Sequence, residues 1–76
     1  MERLSDEELL VRARTVPQAF AVFYRRHVHE VQSYFRRRVL DAETAFDLTA
    51  ETFAAALRSV PRYEPRPEPA RAWPGR

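Results

Sequence analysis

The sequence contains no cysteine, which excludes disulfide staples and thiolate metal sites and suits a reducing compartment. It contains no lysine either: all thirteen basic residues are arginine. That usage fits fork-shaped recognition of anions, and GC-rich codon usage accounts for it more simply. The single glycine, Gly75, leaves no glycine-rich loop to cradle a phosphate. No stretch approaches the ~18 uncharged apolar residues of a membrane span. The opening MERLSDEE lacks the basic and apolar regions of a signal peptide, so a soluble, cytoplasmic chain without a membrane partner is expected. No run alternates with the period of a strand, and no segment repeats. With 76 residues the chain makes one small domain. Ordering each residue costs about 1.5 kcal/mol, so such a domain has little energetic margin.

Charge is present in blocks. Residues 1–35 carry five arginines and five acids, and Arg36, Arg37 and Arg38 follow as a basic triplet. Residues 41–57 carry four acids and no base, while residues 58–76 carry five arginines and two glutamates. The net charge of +2 therefore conceals an acidic segment between two basic ones. A partner of one sign does not account for the whole surface.

Three helices are predicted. Ser5-Asp6-Glu7-Glu8 has the form of a capping box opening a short helix from Asp6 to about Arg14, with Leu9, Leu10 and Ala13 facing a core. Pro17 suits the first position of a second helix running to about Arg38. Its Phe20, Phe23, Tyr24, His27, Val28, Val31, Tyr34 and Phe35 fall in an arc of about 140°. Val39-Leu40-Asp41 is a short connection favouring an antiparallel pair. The third helix, Asp41 to Val60, has Asp41 as N-cap. Its Ala42, Ala45, Phe46, Leu48, Thr49, Thr52, Phe53, Ala56, Leu57 and Val60 take up roughly half the circumference, and Glu43, Asp47 and Glu51 form a stripe opposite. The fold class is thus all-α: a short helix on an antiparallel pair. Residues 1–60 form the helical region. Residues 61–76, with five of the six prolines, form a proline- and arginine-rich tail, extended or disordered.

Catalytic and metal chemistry find no support. His27 and His29 lie about 200° apart around the helix and cannot share an ion; His27 reads as a half-buried, hydrogen-bonded packing residue and His29 as solvated. Ser33 and Ser59 sit in no nucleophile motif, and no cofactor is indicated. The Glu43/Asp47/Glu51 stripe is either an ordinary solvated face or a protein-docking face, since solubility alone usually mixes signs at i,i+4. The tail residues Arg62, Tyr63, Arg66, Arg71 and Trp73 have the composition of a single-strand nucleic-acid binder, in which rings stack on bases and arginines hold phosphates; a disordered end has the same composition. A small helical interaction module unrelated to nucleic acid is the remaining alternative.

The order LSDEELLVRAR (4–14), PQAFAVFYRRH (17–27) and DAETAFDLTAETFAAALRSVPRY (41–63) resembles the N-terminal part of a bacterial RNA polymerase sigma factor of the extracytoplasmic-function type. The most specific piece is DLTAETF at Asp47–Phe53, and ARAW at Ala70–Trp73 is similar to the family's next block. The resemblance implies promoter-specific transcription initiation by a non-catalytic specificity subunit. It implies a sigma-2 helical domain whose third helix docks on a coiled coil in the clamp of the largest polymerase subunit. Carried over by position, Asp47 and Glu51 are its charged contacts, Phe53 and Leu57 lend apolar area, and Ala50 stands where the family usually has Gln. Loss of that amide's bond is expected to weaken docking by about 1 kcal/mol. An anti-sigma factor is a further partner of the kind the family implies. The family continues after ARAW into a −10-reading helix and a −35-reading helix-turn-helix domain, whereas this sequence ends at Pro74-Gly75-Arg76. The expectation is therefore a truncated sigma-2 unit that meets promoter DNA only through regions not present here, and whose incompletely covered apolar face leaves it loosely packed or self-associating.

Overall fold

The computed structural model of the chain describes residues 1–65. Among these, the elements are α1 (Asp6–Arg12), α2 (Pro17–Arg36), α3 (Ala42–Ser59) and a 3-10 turn at Val60–Arg62, with no strand.

Local chemistry sets each helix start. The Ser5 hydroxyl accepts from the Glu8 amide at 3.1 Å, and the Glu8 carboxylate accepts from the Ser5 amide at 2.8 Å, completing the capping box of α1. Pro17 opens α2, where its missing N–H is not needed. At α3 the Asp41 carboxylate accepts from the Thr44 amide at 3.3 Å.

Two helix ends fall two residues short of the sequence-based expectation, and α3 ends one residue short, at Ser59. α1 stops at Arg12 instead of about Arg14. Pro17 forces Val16 into extended backbone (φ −125°, ψ 96°), and the chain tightens towards it through bonds from Arg14 to Val11 and from Thr15 to Arg12. α2 stops at Arg36 instead of about Arg38. There the Arg38 amide bonds back three residues to Phe35, and its guanidinium donates to the Tyr34 carbonyl at 3.1 Å. The Arg38 side chain thus serves a carbonyl that the helix itself leaves open, while stacking 3.7 Å above the Tyr34 ring.

α2 is the central element and packs on both sides. On one side Leu9 of α1 is fully buried against Ala19 and Val22, with Leu4, Ala13 and Phe23 around them. Asp6, at the start of α1, meets Arg26 and His27 one to two turns further along α2, so α1 runs antiparallel to it. On the other side Phe53, late in α3, meets Phe23 and Tyr24, early in α2. With residues 37–41 as the link, these two helices are also antiparallel. Ala45, Thr49 and Phe53 form the buried line of α3, continued by Val60 at the start of the 3-10 turn. The buried Thr49 hydroxyl donates to the Ala45 carbonyl at 2.8 Å, which satisfies it without a partner from another helix.

The aromatic arc expected to be the buried face of α2 is only half the answer. Its most deeply buried residues are Ala19 and Val22, outside that arc; small side chains there let α1 approach closely. Tyr24 and Tyr34 remain exposed. On α3, Phe46 and Leu57 were expected on the core side but are 62% and 51% exposed. They lie at the edge of an apolar sector wider than one neighbouring helix covers. No helix among the described residues is long and apolar enough to cross a membrane.

Candidate functional site

The outer face of α3 is positioned by what its inner face buries. The buried line Ala45–Thr49–Phe53 advances about 40° per step of four residues. Asp47 and Glu51 lie about 160° from the middle of that line, close to diametrically opposite. Both are exposed, as is Glu43 one turn earlier. Successive carboxylates are about 6 Å apart along the axis. Among the described residues, ion pairs join Arg25 to Glu2, Arg26 and His27 to Asp6, and His27 to Glu30. None of them engages Glu43, Asp47 or Glu51. The arginines among the described residues leave the stripe free, and Arg58 at its lower end is exposed without a carboxylate partner among those residues.

Beside the carboxylates runs a second, apolar ridge. Phe46, Ala50 and Leu57 lie about 60–100° from the middle of the buried line, and all three are exposed. The face is therefore two-toned: apolar area along one edge and negative charge along the other. Sequence reasoning missed Phe46 as part of this surface. Its place at the margin of the apolar sector was the available signal. Phe53 was expected to add apolar area here, yet only 6% of it is exposed. Its ring lies 4.8 Å from that of Tyr24, edge-on, so it supports the face from beneath.

At the N-terminal end of this face Asp41 is held below the ordinary carboxylate value, chiefly by hydrogen bonding from the Thr44 hydroxyl. Desolvation opposes this and the Thr44 amide adds to it.

The residues read as a nucleic-acid site divide differently. Arg62 is exposed, and Tyr63 is half-buried with its carbonyl accepting from the Arg14 guanidinium. Arg66, Arg71 and Trp73 lie outside the described residues. The two histidines do not converge: His27 sits 2.8 Å from the Asp6 carboxylate and packs on Phe23, while His29 is exposed. A groove of about 420 Å³ lies on the outer side of α1, lined by Glu7, Glu8, Val11, Arg12, Thr15 and Pro65. It contains no pairing of nucleophile and base. Among the described residues no group of three or more metal-ligating side chains converges.

Residues 23–74 match the family described as Sigma-70 region 2, a span that contains the whole of α3 and most of α2. The chain belongs to the sigma-70 region 2 family. Comparison with curated proteins and with solved structures finds no match. Membership assigns the chain a sigma-factor role in transcription initiation and binding to the RNA polymerase core, and makes it a non-enzymatic component. α1 precedes the matched span and braces the first half of α2.

Proposed function

We propose that the chain is a sigma factor of the extracytoplasmic-function type that docks through the outer face of α3 on the clamp coiled coil of the largest polymerase subunit. The observation that carries this reading is the state of Asp47 and Glu51: exposed, one turn apart, and left without an ion-pair partner among the described residues. Carboxylates so placed suit arginine guanidiniums, which form short, charge-assisted and geometrically selective bonds. Phe46, Ala50 and Leu57 supply apolar area at the edge of the contact, and Phe53 fixes the helix from below. Ala50 gives packing and no hydrogen bond. The working unit is the helical region of residues 1–60, with residues 61–76 as an appended tail, and it acts in the cytoplasm beside the polymerase. An anti-sigma partner would act by covering this same face.

Hydrogen–deuterium exchange of the chain with and without polymerase core tests the proposal. Slowed exchange over residues 43–58, with α1 unchanged, is the expected footprint. Protection confined to α1 or to the tail would place the docking surface elsewhere.

A further inference from the structure

The corner where α2 turns into α3 joins to the outer face of α3 an arginine triplet and an exposed leucine that this face does not explain. Arg36, Arg37 and Arg38 stand exposed at the end of α2. Leu40 in the link is wholly exposed, and Phe46, one turn into α3, is largely so. Asp41, Glu43 and Asp47 follow, also exposed. Helix dipoles rationalise cations at the end of α2 and anions at the start of α3, but not two uncovered apolar side chains between them. Three arginines nearer the N-terminus are engaged: Arg25 with Glu2, Arg26 with Asp6, and Arg14 with the Tyr63 carbonyl. Arg36 and Arg37 have no carboxylate within 4.0 Å among the described residues.

We infer that this corner is a self-association surface, on which the Arg36/Arg37 arm of one copy meets the Glu43/Asp47 arm of a second, with Leu40 and Phe46 packed between them. The charge pattern selects the occupant. A polyanion would be repelled by Asp41, Glu43 and Asp47, and a partner of either single sign would match only half the corner. A second copy turned by a two-fold axis satisfies both halves twice over, as an isologous contact requires. Leu40 would be covered by the partner's Phe46, and the reverse, removing both from water. The contact shares Phe46 and Asp47 with the proposed polymerase face, so pairing and docking exclude one another. The pairing itself does not depend on the docking proposal.

Sedimentation equilibrium of the full 76-residue chain, from micromolar to millimolar, reads the inference directly. The expected result is a weight-average mass rising from the 9.0 kDa of one chain towards twice that value, less so at high salt. Leu40→Ser and the double reversal Arg36→Glu/Arg37→Glu should each weaken association by about tenfold or more while helix content by circular dichroism is unchanged. Mixing the Arg36→Glu/Arg37→Glu chain with a Glu43→Arg/Asp47→Arg chain should restore a heterodimer. A mass fixed at one chain throughout would overturn the inference, as would association indifferent to Leu40→Ser and to the arginine reversals. Polymerase binding measured on Leu40→Ser separates the two proposals: loss of pairing with docking retained supports the corner as its own surface. A monomer whose Leu40 is required by polymerase would assign the corner to that partner and sink self-association.

Discussion

The ring of Phe53 stands edge-on to that of Tyr24, centroids 4.8 Å apart and planes at 69°. The same ring meets Phe23 at 6.4 Å. One side chain of α3 thereby engages two neighbours on α2, and this fixes the rotation of α3 about its own axis. Asp47 and Glu51 point outwards because Phe53 points in.

Replacing Phe53 by Ala should therefore do more than open a cavity. Phe→Ala changes in cores cost about 3–5 kcal/mol, and Phe53 is among the few large side chains buried here. In a chain with so little margin that loss should leave α3 largely unfolded at ambient temperature. Phe53→Leu should fold with a lowered melting temperature. Far-UV circular dichroism on heating checks both.

One carboxylate supplements the apolar contact of Leu9 with Ala19 and Val22 between α1 and α2. Asp6 accepts from Arg26 at 3.1 Å and lies 2.8 Å from the His27 ring nitrogen. Its side chain is partly open to solvent, so Asp6→Asn should cost only about 0.5–1.5 kcal/mol. The effect should be local: faster amide exchange in α1, with α3 little changed. Ser5→Ala, which removes the hydroxyl half of the Ser5/Glu8 capping box, should cost about 1 kcal/mol and give the same local pattern.

Acid should release the start of α3. Hydrogen bonding from Thr44 lowers the Asp41 pKa in the folded chain below its ordinary value of 3.8. A lowered folded-state pKa means that the stabilisation is fully present above the unfolded value and is lost as pH falls through the folded one. The cap should therefore hold at neutral pH and fail only below about pH 4. The Thr44 amide resonance, followed by NMR from pH 7 downwards, should report that transition, and Asp41→Asn should remove it.

Much of this was legible from the residues alone, for reasons of range. The capping box at Ser5 and Glu8 and the N-cap at Asp41 involve groups three residues apart. Chain order places such groups together whatever the rest does. The outward direction of Asp47 and Glu51 follows from helical periodicity. Less legible was the inner side of α2. A wheel that weights large aromatics picks out Phe20, Tyr24 and Tyr34, whereas close packing of α1 selects Ala19 and Val22. The partner of His27 and the bond from Arg14 to the Tyr63 carbonyl span 21 and 49 residues of chain, beyond what local spacing encodes. Phe46 was misplaced because periodicity shows which residues could be buried, and only the number of neighbouring helices shows which are.

Charge exchange across the docking contact tests the central claim most directly. Affinity for the polymerase clamp coiled coil should fall by about tenfold or more for Asp47→Arg or Glu51→Arg, since bonds to charged groups contribute about 1.5–3 kcal/mol each. It should recover when the clamp arginine facing the reversed site is changed to Glu. Unchanged affinity in both single variants, with helix content intact, would contradict the account.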